Sequence, residues 1–235
     1  MDILEVDALY RRKVTAHAKS QFLKLLPFLA SSIGYFILSP QEPSLLGAVV
    51  KCLPVLSLAF YVAGESRSAG VGAWTPYAQR IFSGLLLSVV GDACLVWPQL
   101  FIPGMLAFAG CHISYILAFG LRPFNPLVYL VVAAFMVSDY TLLQLPCLKG
   151  FYVVAVAIYS SLLGVMAWRA LSRPNGQLSA SVGSVFFIVS DTFVGLDTFC
   201  HSVRHPHLIS MSTYYIAQGL IARSVASDIS SKKES

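Results

Sequence analysis

The stretch Arg80–Pro98, RIFSGLLLSVVGDACLVWP, decides the fold. From Ile81 to Trp97 it is apolar or small, and with its flanks it is long enough to cross a bilayer, yet Asp92 lies well inside it. An ionisable side chain at membrane depth costs about 2.5–3.5 kcal/mol even on the lenient insertion scale, so its default reading is functional. The same device recurs in Val182–Phe199, VGSVFFIVSDTFVGLDTF, where Gly183 precedes Asp191 by eight residues as Gly84 precedes Asp92. The remaining chain reads as a scaffold that brings these two acids together.

Working outward, 57% of the 235 residues are hydrophobic and only 11% are charged. Soluble domains carry about 25% charged residues, so the composition predicts an all-α polytopic membrane protein without a separate soluble domain. Three regions follow: a polar N-terminal stretch over 1–21, a transmembrane domain over 22–226 and a tail over 227–235. The first carries Arg11, Arg12, Lys13 and Lys19 and does not read as a cleavable signal peptide. The five cysteines, Cys52, Cys94, Cys111, Cys147 and Cys200, show no CxxC spacing. Three lie in apolar spans, where a thiol usually behaves as a small hydrophobe. Cys147 and Cys200 fall near one membrane face, where a disulfide and two free thiols are both open readings.

Eight apolar segments are expected, roughly 22–38, 44–63, 80–97, 101–119, 126–143, 150–168, 180–200 and 208–226. Turn formers separate them, among them Ser39-Pro40, Gly70 to Pro76, Trp97-Pro98, Arg122-Pro123, Pro146, Pro174-Asn175-Gly176 and His205-Pro206. An even number of spans puts both termini on one side. That side then holds thirteen of the 16 basic residues: Arg11, Arg12, Lys13, Lys19, Lys24, Arg67, Arg80, Arg122, Arg169, Arg173, Arg223, Lys232 and Lys233. Lys149 and Arg204 fall opposite, and Lys51 lies within a span. Such a bias predicts cytoplasmic termini and accounts for the +5 net charge without a nucleic-acid partner. Segments three and seven, four spans apart, enter from the same side, so a tandem four-plus-four repeat is expected.

Polar groups at membrane depth give the candidate site. Ser88 and Gly84 share the face of Asp92 at i, i+4 spacing. Burial disfavours the charged form of a carboxyl, which suits a general acid; the plainer alternative is a packing hydrogen bond, and two acids at matched depth favour function. Lys51, about 12 Å into its span at the helical rise, reads as a counter-ion or phosphate partner rather than a snorkelling lysine. His112 and Tyr115 form an i, i+3 pair in segment four, and Tyr215 and Gln218 form another in segment eight, with Tyr214 adjacent. Asp139 and Asp197 read as interfacial acids, and His201, His205 and His207 as a solvated turn that completes no metal site. No Walker A, GxSxG, HExxH or GxGxxG pattern is present.

Five stretches together resemble the lysoplasmalogenase (YhhN-like) family, in its animal branch: KCLPVL (Lys51–Leu56), SVVGDACLVWP (Ser88–Pro98), FIPGMLAFAGCHISYILAFG (Phe101–Gly120), FFIVSDTFVGLDTF (Phe186–Phe199) and MSTYYIAQGLIA (Met211–Ala222). The resemblance implies hydrolysis of the vinyl ether bond of a lysoplasmalogen, in the endoplasmic reticulum membrane. The products would be a fatty aldehyde and glycerophosphocholine or glycerophosphoethanolamine. It implies a lysophospholipid substrate among membrane lipids, no cofactor and no metal, and leaves homo-oligomerisation open. The chemistry suits Asp92 and Asp191 as acid and carboxylate, with Lys51 on one acid or on the lipid phosphate. His112, Tyr215 and Gln218 would position water or head group, and Tyr115 and Ser88 would support. Residue reading alone leaves two rivals: a proton-coupled lipid or small-molecule transporter, and a lipid-binding protein whose acids only pack.

Overall fold

The computed structural model describes residues 3–38, 43–68, 74–173, 178–200 and 205–234. They form eight α-helices: α1 (Ile3–Leu38), α2 (Leu45–Ser68), α3 (Pro76–Leu95), α4 (Phe101–Phe119), α5 (Pro126–Ser138), α6 (Phe151–Leu171), α7 (Leu178–Gly195) and α8 (Pro206–Glu234). Side chains of residues 1–18 and 232–235 lie outside this description, as do the expected turns at Ser39-Pro40, 70–73 and 174–176, and the expected solvated His201.

The helix ends follow local chemistry. Thr75 caps α3 by accepting from the Ala78 N–H at 3.1 Å, with Pro76 as the first helical residue. Asn125 caps α5 in the same way, ahead of Pro126. Gly120 ends α4 at φ 81°, where a side chain would be strained. The fully buried Arg169 donates from Nε to the Gly120 carbonyl at 2.6 Å and from Nη1 to that of Pro123 at 2.8 Å, meeting orphan carbonyls at this end. α2 runs without interruption through Pro54.

Among the described residues, seven helical stretches are long and apolar enough to cross a membrane, from Lys19–Leu38 to Leu178–Cys200. α8 is not among them, although its inner part is the eighth expected segment. Its position supplies the reason. α8 packs along α7 and against α2 and α3, with Ala217, Ile221, Ala222 and Val225 fully buried. A helix enclosed by its neighbours can carry Tyr214, Tyr215 and Gln218 inward without meeting lipid. α1 and α5 are the peripheral spans, and α5 exposes Leu127, Leu130, Val131 and Phe135.

The two glycines that precede the aspartates mark close helix approaches. A Cβ on Gly84 would collide with the Tyr115 ring of α4, and one on Gly183 would stand 2.9 Å from the Ala217 carbonyl oxygen of α8. α3 therefore lies tightly on α4, and α7 on α8.

Beyond α5 the chain forms a π-helical turn over Asp139–Gln144 and a short 3-10 turn over Leu145–Cys147; beyond α7 it forms a second π-helical turn over Leu196–Cys200. A Cys147–Cys200 disulfide ties the two together, resolving the pairing that the sequence leaves open.

Candidate functional site

A cavity of about 230 Å³ opens where α3, α6, α7 and α8 converge, and both aspartates line it. Lys51 of α2 is also in its wall and is itself buried. The three ionisable residues singled out at membrane depth thus meet in one space.

Each aspartate holds a tyrosine hydroxyl. Tyr214 donates to Oδ2 of the buried Asp92 at 2.7 Å. Tyr159 donates to Oδ2 of Asp191 at 2.7 Å, and the Asp191 side chain remains 15% exposed to the cavity. Behind Tyr159 stands the fully buried His112, whose Nε2 is 2.9 Å from the Tyr159 oxygen and 3.4 Å from Asp191 Oδ2. His112 Nδ1 makes no hydrogen bond among the described residues, and the ring packs edge-on against Phe187. Two acceptor oxygens facing Nε2 place a hydrogen there, because a bare nitrogen lone pair would be opposed to both. The bonds then run in one direction: His112 Nε2–H to Tyr159, and Tyr159 O–H to Asp191.

The other expected residues stand one layer behind the wall. Tyr115 donates to Gln218 Oε1 at 2.6 Å, Gln218 Nε2 donates to Ser88 Oγ at 2.8 Å, and the Ser88 hydroxyl lies 3.1 Å from both the Gly84 carbonyl and Cys111 Sγ. Tyr115, Gln218 and Ser88 are fully buried, so this network joins α3, α4 and α8 in a dry core. Tyr215 donates to the Lys51 carbonyl at 2.9 Å and ties α8 to α2. None of these four, nor His112, lines the cavity. Tyr215 and Gln218, read as positioning water or head group, are bonded to other helices, and His112 reaches Asp191 alongside Tyr159.

Two further residues differ from expectation. Asp139, read as interfacial, is buried in the cavity wall, its carboxylate accepting from Gln144 Nε2 at 2.6 Å and Thr192 Oγ1 at 2.9 Å. The π-helical turn that starts at this residue widens the helix and carries Gln144 back onto it. His207, read as part of a solvated turn, sits at the cavity rim with Nε2 3.0 Å from the Tyr35 hydroxyl. Tyr159 is legible in the sequence only as a phenol in the middle of an apolar helix, which needs a buried partner. Asp197 is exposed at the rim, near the end of its span.

Comparison with known proteins gives a consistent result. The YhhN family model matches residues 46–225. The chain is 39% identical over 218 residues to human "Lysoplasmalogenase TMEM86A", covering 88% of this chain and 90% of that protein. It is 42% identical over 203 residues to human "Lysoplasmalogenase TMEM86B", covering 85% of each. A Dictyostelium discoideum "Lysoplasmalogenase homolog" is 26% identical over 199 residues, covering 74% of this chain and 65% of that protein. No solved structure matches.

Proposed function

The chain belongs to the YhhN family, and from that premise we propose that it is a lysoplasmalogenase, an integral membrane hydrolase that cleaves the vinyl ether bond of lysoplasmalogens by acid–base catalysis with Asp92 and Asp191. The observation that carries this reading is the pair of aspartates facing one cavity, each gripped by a tyrosine hydroxyl.

Vinyl ether hydrolysis begins with proton transfer to the outer alkene carbon. The π electrons form the new C–H bond, and positive charge is left on the carbon bonded to oxygen as an oxocarbenium ion. Water adds to that carbon and loses a proton, and the hemiacetal breaks its C–O bond to release aldehyde and glycerol hydroxyl. Overall, one alkenyl ether and one water give one aldehyde and one alcohol, with no redox change. One carboxyl supplies the first proton. The other stabilises the cation and accepts the proton from water, a division of labour that glycosidases use for a related cation. Lys51 provides a cation for the lipid phosphate. A cavity of about 230 Å³ suits the reacting ether, its glycerol and one water, with the alkenyl tail extending beyond it.

The fuller reading puts the protein in the endoplasmic reticulum membrane with both termini cytoplasmic, related halves in tandem, and no nucleic-acid partner. The test is aldehyde release from a lysoplasmenylethanolamine by protein purified in detergent. Asp92→Asn and Asp191→Asn, each with a wild-type melting profile, should lose about 10²–10⁴-fold in kcat, the range for a general acid or base. Folded wild-type protein that releases no aldehyde would overturn the assignment.

A further inference from the structure

The cavity lies mostly in one half of the bundle. α2, α4, α6 and α8 begin at the end of the bundle where α3 and α7 finish and where the chain leaves α5 for Cys147. Most of the lining lies near that end, and the deepest lining residue, Leu163, is twelve residues into α6, just past its midpoint. Lys51 is six residues into α2, Asp92 three residues before the end of α3, Met105 four residues into α4, Tyr159 eight into α6, Asp191 four before the end of α7 and Tyr214 eight into α8. At about 1.5 Å per residue these side chains lie within about 12 Å of the helix ends. The last turns of α2, α4, α6 and α8 and the first turns of α3, α5 and α7 contribute none of the lining.

Two independent features assign that end to a compartment. It carries the Cys147–Cys200 disulfide, beside the lining residues Asp197 and Phe199, and disulfides persist in oxidising compartments. The opposite end carries Arg67, Arg80, Arg122, Arg169 and Arg173 at or just beyond its helix ends, the basic excess expected of a cytoplasmic face.

We propose that the cavity serves the non-cytoplasmic leaflet: the lysolipid enters from that leaflet, and the water-soluble glycerophospho product leaves on the lumenal side. This rests on the hydrolase reading above. Its consequence is chemical. The substrate must be supplied by deacylation of a diradyl lipid in that leaflet or by transfer across the bilayer. The product, a charged phosphodiester, must be hydrolysed in the lumen or carried out of it.

The test uses the full chain in sealed microsomes with the cytoplasmic face outward. Gln99→Cys and Arg122→Cys, exposed at opposite ends and outside the cavity wall, report orientation through a membrane-impermeant maleimide. Arg122→Cys should label in intact vesicles, and Gln99→Cys only after permeabilisation. With head-group-labelled lysoplasmenylethanolamine, most of the labelled glycerophosphoethanolamine should stay inside until detergent is added. Labelling of Gln99→Cys in intact vesicles, or product appearing directly outside, would overturn the proposal. Absence of aldehyde even in detergent would instead overturn the hydrolase reading, and the cysteine reporters would still decide which side the cavity faces.

Discussion

At the scale of single residues, the site is a set of paired polar atoms in an apolar surround, and the pairings decide which substitutions matter. Tyr159 touches Asp191 directly and lines the cavity, whereas His112 adds its own Nε2 behind them. Tyr159→Phe removes a hydrogen bond to Asp191 worth about 0.5–1.5 kcal/mol, so kcat should fall about 2–12-fold with little change in KM. His112→Asn should reduce kcat less. Added to Tyr159→Phe it should cost less than it does alone, because the two belong to one chain of bonds; a double-mutant cycle that gave strict additivity would show that they act separately. Lys51→Met should raise KM for a phosphate-bearing lysoplasmalogen more than for an alkenyl glycerol that lacks the phosphate. Equal effects on the two substrates would remove Lys51 from phosphate binding. Much of this layer was legible in the sequence: an acid or lysine in an apolar span announces itself by its cost. Choosing Tyr214 over Tyr215 was not, since adjacent residues point about 100° apart on a helix and the sequence does not say which direction faces the cavity.

At the scale of elements, glycines and one disulfide hold the helices that carry the acids. Gly183→Ala would drive a methyl group onto the Ala217 carbonyl oxygen, a backbone atom that cannot swing aside. The expected cost is about 1–3 kcal/mol of overpacking, read as a lower melting temperature in detergent. Gly84→Ala meets the Tyr115 ring instead, and should also weaken the Tyr115–Gln218–Ser88 network behind Asp92. The disulfide closes a sequence separation of 53 residues, joining the 3-10 turn that follows one π-helical turn to the end of the other. Cys147→Ser should cost about 2–4 kcal/mol, and a reductant should lower the melting temperature of wild type but not of this variant. The glycine–aspartate spacing was visible in the chain. The π-helical turns were not, because a single inserted residue leaves no mark on hydrophobic periodicity, and that is why Asp139 read as interfacial.

At the scale of the whole molecule, the bundle has a centre and a rim. α8, the least apolar of the expected spans, sits inside, and α5, strongly apolar, faces outward. Ala222→Leu on α8, at a fully buried position, should destabilise by about 1–3 kcal/mol, whereas Leu130→Phe on the exposed face of α5 should stay within about 0.5 kcal/mol. Comparable thermal shifts for the two would contradict this arrangement.

By itself the sequence determined the class, the number and order of the helices, and the polar residues that the bilayer would not tolerate without a role. These are properties of local composition: hydrocarbon thickness sets span length, and the cost of burying charge makes each exception conspicuous. Only the tertiary structure decided that Asp92, Asp191 and Lys51 share one cavity, that Tyr159 and Tyr214 hold the acids while Tyr115, Tyr215 and Gln218 lie behind them, and that Asp139 turns inward. Those outcomes depend on rotation of each helix about its axis and on contacts between residues more than a hundred positions apart, such as Tyr214 and Asp92. No periodicity within a single span encodes them.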